Sequence, residues 1–146
     1  MERTEKLVLL FSSGLLGLFF LALLAAAELQ GINVPPCLPA TVYPYTAGRH
    51  DTLPDGRHQI FYVARMWRFE PEIVEVPLNT PIDLFLSAAD VTHGLYLSWT
   101  NTNLMAIPGL VNAYTVRLEK PGVYPIICHE YCGTAHHNMV AYLIAK

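Results

Sequence analysis

The stretch VYPIICHEYCGTAHHNMVAYLIA, residues 123–145, decides how the chain is read. Its flanks, Val123–Cys128 and Val140–Ala145, are apolar runs of strand length, rich in β-branched and aromatic residues. The loop between them therefore joins two strands and closes one end of whatever sheet they belong to. Working outward, similar runs recur at His58–Arg65, Ile73–Val76, Ile82–Ser87, Gly94–Ser98 and Ala113–Leu118. Pro77-Leu78-Asn79-Thr80-Pro81, Pro108-Gly109 and Pro121-Gly122 punctuate them. Short strands at this spacing over about 90 residues predict an all-β fold, a small β-sandwich with Greek-key connections. No long helix is expected beyond residue 58, and there is no internal repeat or low-complexity tract.

The loop itself has the composition of a metal site. Cys128 to Met139 carries two thiols, three imidazoles, a carboxylate and a thioether. Soft sulfur donors mixed with imidazole suit copper, zinc or iron–sulfur chemistry, and the thioether of Met139 points toward copper electron-transfer sites, where it is a usual weak axial ligand. A mononuclear copper loop needs one Cys, one His and a Met, with a second His from far upstream. Cys132 adds a second thiol. Two thiolates on one loop can bridge a pair of copper ions, each of which then needs a terminal imidazole and a weak axial donor. His93, in Asp90-Val91-Thr92-His93-Gly94 at a strand boundary, meets the need for a distant imidazole. A lone His in a β protein is more often structural or exposed. The loop's unmet requirement reverses that preference here. His50, His58, His129 and His137 have no such argument, and His137 is the residue most easily mistaken for the ligand His136.

These residues resemble a known family. Cys128-x-Glu130-x-Cys132-Gly133-x-x-His136-x-x-Met139 is similar, residue for residue, to the binuclear CuA loop of cytochrome c oxidase subunit II. Asp90-Val91-x-His93 resembles that family's upstream ligand motif, and Trp67-x-Phe69-x-Pro71 its aromatic segment. The resemblance covers roughly residues 60–146 and implies a cupredoxin-like sandwich. It also implies Cys128 and Cys132 as bridging thiolates, His93 with Met139 on one copper, and His136 with the backbone carbonyl of Glu130 on the other. In many members the Glu130 side chain reaches a magnesium site shared with the large subunit. Expected partners are a haem-containing catalytic subunit I and a cytochrome c donor. Tyr131, Trp67 and Trp99 are the candidates for electron entry, although both tryptophans also have a plain core reading.

The N-terminal part reads differently. Leu7–Ala27, LVLLFSSGLLGLFFLALLAAA, is 21 residues without a charge. At helical rise it spans roughly 31 Å, the thickness of a bilayer's hydrocarbon core. Ala25-Ala26-Ala27 resembles a signal-peptide cleavage site, but the run exceeds the ~7–15 apolar residues of a usual signal core. The expected organisation is a cytoplasmic tail over 1–6, a transmembrane helix over 7–27, a Pro-rich connector over 28–57 and the copper domain over 58–146. Arg3 and Lys6 precede the helix and the next basic residue is Arg49, so the N-terminus is expected in the cytoplasm. The copper domain then lies on the periplasmic or extracellular face of a prokaryotic cell membrane, anchored in membrane lipid. A single helix, with the Tyr131-Cys132-Gly133-x-x-His136-x-Asn138-Met139 spacing, is most similar to subunit II of ba-type oxidases. Cys37 is read as a passive residue.

Charge excludes one class. The net charge is −3 and no basic block occurs, so there is no electrostatic footprint for nucleic acid. Two competing readings are a stand-alone membrane-anchored copper carrier or chaperone, and an exported module in which Cys128 and Cys132 form a disulfide without metal. Nitrous oxide reductase would need a further propeller domain. Quinol oxidase subunits lack these ligands.

Overall fold

A computed structural model of the chain describes residues 2–30, 37–39 and 46–146. Much of the expected connector, residues 31–36 and 40–45 with Pro35, Pro36 and Pro44, lies outside the described residues, as does the side chain of Cys37. The chain falls into two compact units, Met1–Val34 and Pro35–Lys146.

The first unit is one helix, α1 (Arg3–Gln30), of 28 residues. It extends past the uncharged run at both ends, because Arg3 to Lys6 and Glu28 to Gln30 contain no helix breaker; charge bounds the apolar run but not the helix. Leu7, Val8, Leu9 and Leu10, consecutive round the helix, are all exposed, so the apolar surface runs right round. A helix without a polar face has no stable place at a water interface. By length and composition α1 is a candidate membrane span.

The second unit is the sandwich. Its described strands are β1 (Cys37–Pro39), β2 (Arg49–Thr52), β3 (His58–Arg65), β4 (Arg68–Glu70), β5 (Ile73–Val76) and β6 (Pro81–Ala88). They continue with β7 (His93–Leu97), β8 (Thr102–Ala106), β9 (Leu110–Arg117), β10 (Gly122–Ile127) and β11 (Val140–Ala145). One sheet has the order β1-β9-β6-β3-β2, with β4 also on β3; the other has the order β5-β11-β10-β7-β8. The chain changes sheet after β4, β5, β6, β8 and β9, which makes the pairs β3/β6 and β5/β11 parallel while their neighbours are antiparallel. All seven expected strands are present. Strands β1, β2, β4 and β8 are additional to those expected, the first two inside the expected connector. Each is short, and Arg49–Thr52 and Thr102–Ala106 carry polar residues that blur the apolar pattern.

Alternation across the pleat builds the core. Ile60 and Tyr62 of β3 and Ile82, Leu84 and Leu86 of β6 face Leu95 and Leu97 of β7, Ile126 of β10 and Leu143 of β11, all essentially buried. Strand β3 is buried on both sides. On its outer face Phe61 stacks on Phe85 with centroids 4.6 Å apart, and the Arg49 guanidinium covers Phe61 at 3.9 Å. Sheet two supplies the platform for the site: β7 begins, β10 ends and β11 begins at the same end of it.

Candidate metal centre

Register places the first three donors. Ile126 pairs with Leu97 and Ile127 with Tyr96, while Ile126 pairs with Ala141 and Ile127 with Val140. One more step sets Cys128 opposite Met139, and the Cys128 N–H donates to the Met139 carbonyl at 3.2 Å. Inward-facing positions on these strands are Leu95, Ile126 and Ala141, so period-two alternation turns His93, Cys128 and Met139 inward as well. All three are buried, His93 and Met139 completely. The candidate site is thus the last layer of the core, with donor atoms in place of methyl groups.

The loop brings the others. It ends in a short 3-10 turn, His136–Asn138, which carries His136 back over the thiols. Cys128 Sγ lies 3.8 Å from Cys132 Sγ, 4.0 Å from His93 Nδ1 and 3.3 Å from the Glu130 carbonyl oxygen. Cys132 Sγ lies 3.5 Å from His136 Nδ1 and 3.7 Å from Met139 Sδ. Every residue expected as a ligand therefore converges on one spot. The two thiols are not bonded to each other, since their sulfurs stand 3.8 Å apart against about 2 Å in a disulfide. His137 is exposed.

Asp90 does work that its sequence context did not assign. Its Oδ1 accepts from His93 Nε2 at 2.8 Å and from the Val91 N–H at 2.7 Å, and its Oδ2 accepts the Met66 N–H at 2.7 Å. Partial burial pushes this carboxyl upward, but the His93 bond and the two backbone donors outweigh it and hold the pKa below its usual value. A carboxylate on Nε2 fixes the proton there and turns the Nδ1 lone pair toward the thiols. The signal lay in the Asp90–His93 spacing, which a turn folds into contact. His129 was also passed over. Its exposed ring lies where a side chain on Gly94 would be, 2.3–2.5 Å from the Cβ position.

The three expected entry residues separate. The Trp67 indole N–H donates to the Cys132 carbonyl at 3.2 Å, while the residue stays 41% exposed. Tyr131, more exposed still, sets its ring edge-on to His136 at 5.8 Å. Trp99 follows β7 at the end opposite His93, so the structure does not bring it to the site.

Burial pushes the Cys132 thiol up to about 11, and the neighbouring Cys128 sulfur pushes it the same way. Below that pH the thiol keeps its proton. In the metal-free chain, alkylation of Cys132 should be slow at neutral pH and accelerate about tenfold per pH unit until the thiol titrates, because only the thiolate reacts. Mass spectrometry after timed iodoacetamide quenching reads this; a rate already flat at neutral pH would contradict the burial argument.

Residues 57–145 match the family model described as cytochrome c oxidase subunit II, periplasmic domain. A cytochrome c oxidase subunit 2 of Thermus thermophilus is 32% identical over 91 residues, which are 62% of this chain and 67% of that one. A chain from a cryo-EM structure of a heme-copper terminal oxidase dimer is 36% identical, with a TM-score of 0.85 over 99% of this chain and 100% of that one. Auracyanin A, a blue copper protein of Chloroflexus aurantiacus, shares the fold alone: 13% identity and a TM-score of 0.50, over 62% of this chain and 100% of that one. A match to a periplasmic-domain family together with an N-terminal apolar helix marks a membrane-anchored subunit, and the chain belongs to the cytochrome c oxidase subunit II family, as a subunit of a terminal oxidase partnered by a catalytic subunit.

Proposed function

We propose that this chain is the electron-entry subunit of its oxidase, accepting electrons from a cytochrome c and delivering them to haem in the catalytic subunit, where oxygen is reduced. One observation carries the reading: two thiols, two imidazole Nδ1 atoms, a thioether and a carbonyl meet in one cluster, of which His93, Cys128, Cys132 and Met139 are buried. That donor set is soft and contains no side-chain carboxylate, so it fits copper and not a hard cation. Two thiols, each with its own imidazole, favour a binuclear CuA centre over a mononuclear one. In this assignment Cys128 and Cys132 would be shared by both ions, His93 and Met139 would help hold one, and His136 and the Glu130 carbonyl would help hold the other. When bound, such a pair supplies one-electron redox chemistry with the electron shared over both ions.

The chain's own residues do the rest. Asp90 holds His93 in the ligating tautomer, and Cys132 must shed its proton on loading, so binding strengthens as pH rises. The buried Met139 and the strands behind it exclude water and resist rearrangement. Trp67 joins the surface to Cys132 through one hydrogen bond, and with exposed Met66, Val91 and Tyr131 it offers an apolar face for the donor. Glu130 is exposed, which leaves its carboxylate available to a magnesium site shared with the catalytic subunit. Arg3 and Lys6 favour a cytoplasmic N-terminus, with α1 in the lipid of a prokaryotic cell membrane and the sandwich outside. The one membrane-length helix among the described residues favours the ba-type subfamily.

Electron paramagnetic resonance tests the central claim. The oxidised, copper-loaded chain should show one electron shared by two coppers, and Cys132→Ser should convert it to a mononuclear signal; a mononuclear signal in the unaltered chain overturns the binuclear assignment. Asp90→Asn should lower copper affinity about 10–100-fold in chelator competition, since it removes the partner that orients His93. Trp67→Ala should slow electron entry from reduced cytochrome c by about tenfold or more, a barrier change of ~1.4 kcal/mol, with the copper spectrum retained. An unchanged rate would move the entry route to Tyr131.

A further inference from the structure

A second pair of imidazoles lies outside the metal centre, on β2 and β3. Register sets Thr52 opposite His58 and His50 opposite Ile60, so His50, Thr52 and His58 share one face of the sheet. The place is remote from the metal pole. His58 opens the eight-residue β3, whose far end leads to Trp67 beside Cys132, a strand length on the order of 23 Å. Strand β2 is the edge of its sheet; His50 is exposed and His58 half-buried. An ion can therefore reach both rings from solvent.

His50 Nε2 and His58 Nδ1 stand 2.8 Å apart. The ring centroids are 5.0 Å apart, about that contact plus two ring radii, so the two nitrogens face each other nearly in line. One proton sits between them: one ring donates it and the other presents a lone pair. Carboxylates take no part. Asp51 falls on the opposite face, where Arg49 donates to it at 2.7 Å. Among the described residues no carboxylate stands within ion-pair distance of either ring. Burial and the neighbouring His58 hold the His50 pKa below its usual value against the opposite pull of Asp51. Its ring is neutral at neutral pH, the form that ligates metal.

The arrangement selects the kind of ion. Zinc takes four protein donors in closed sites and three in open ones. Here two imidazoles face each other, and the Thr52 hydroxyl stands off at 3.5 Å from His58 Nδ1. A filled-shell monovalent ion such as copper(I) is held by two donors in line, and imidazole without carboxylate suits copper over hard cations. At metal–nitrogen bonds of about 2 Å the nitrogens would stand ~4 Å apart, so each ring retreats by roughly half an ångström. Side chains on an edge strand have that freedom.

We propose that His50 and His58 form a peripheral copper(I) site, the ion taking the place of the proton between His50 Nε2 and His58 Nδ1. The donor ring changes tautomer on binding, its proton passing through solvent to that ring's other nitrogen. Both imidazoles stay neutral and no electron is transferred. The inference does not rest on the binuclear assignment, because the two sites share no residue.

Copper(I) itself is the probe, titrated without oxygen into the full, copper-loaded and reduced chain in detergent, where the thiols of the metal centre are already occupied. A Cys37→Ser background removes a competing soft donor. The readout is the ring C–H resonances of His50 and His58, each assigned by its loss in His50→Gln or His58→Gln. The expected result is a joint shift of both rings that saturates at one added copper per chain. His50→Gln should weaken the His58 response at least about tenfold, and His58→Gln the His50 response likewise, since either leaves a single ligand. The copper spectrum of the reoxidised variants, unchanged, shows that they fold. Zinc(II) should bind at least about tenfold more weakly than copper(I), for want of further donors. Rings that do not move, one ring responding unaltered after loss of the other, or zinc binding as tightly as copper(I) would overturn the proposal.

Discussion

Everything at the metal pole depends on the pairing register of β7, β10 and β11. Side chains on a strand alternate between faces, so a slip of one residue would turn His93, Cys128 and Met139 outward together. The register is held by Leu95, Leu97, Ile126, Ala141 and Leu143, which fill the core behind the site. Hydrophobic packing therefore sets the positions of the donor atoms, and the same residues that stabilise the sandwich give the site its rigidity. A ligand set carried only by the loop would lack that control. Here three of the side-chain donors sit at strand ends directly against the core, His93 opening β7, Cys128 extending β10 and Met139 preceding β11.

Burial of so many polar atoms would be costly if they were charged. At Cys132 the metal-free chain avoids this by keeping the thiol neutral. Burial and the sulfur pair raise the Cys132 thiol, so it remains protonated across the physiological range. Among the described residues, the carboxylate hydrogen-bonded to the cluster is Asp90, whose side chain stays 28% exposed and accepts three hydrogen bonds. Charge is thus kept at the rim, where water still reaches it, and only its orienting effect is passed inward through His93. The arrangement can form before metal arrives, at the expense of making metal compete with thiol protons.

The sequence made this end of the molecule unusually legible. Cys128, Cys132, His136 and Met139 are close in the chain, and a strand on either side leaves the loop few ways to fold. His93 was recoverable because a copper loop of this kind needs a second imidazole from far upstream. What the sequence could not convey was tertiary proximity without a periodic signal. Asp90 touches His93 only because a turn folds their short separation into contact. Trp67 reaches Cys132 across 65 positions. Trp99 looked equivalent to Trp67 as an entry residue, yet one strand length places it at the far pole. The four strands that escaped notice share a cause: they are edge or polar segments whose pairing partners, and not their own patterns, define them.

Two glycines explain how a site on a surface loop stays dry. Continuing the β10–β7 register past Ile127 brings His129 opposite Gly94, and the His129 ring occupies the space that a Cβ there would claim. On the other side the Trp67 ring rests on Gly133, 3.2 Å from its Cβ position, where a φ of +114° already excludes most side chains. Each ring is therefore seated on a residue with no side chain, one on the strand that carries His93 and one next to Cys132. A side chain at Gly94 would push the flexible His129 ring toward solvent at modest cost. At Gly133 it would face both backbone strain and the Trp67 ring, whose hydrogen bond to Cys132 leaves it less room to move. The two covers are unequal as a result: His129 can yield, and Trp67 is held in place over the thiols.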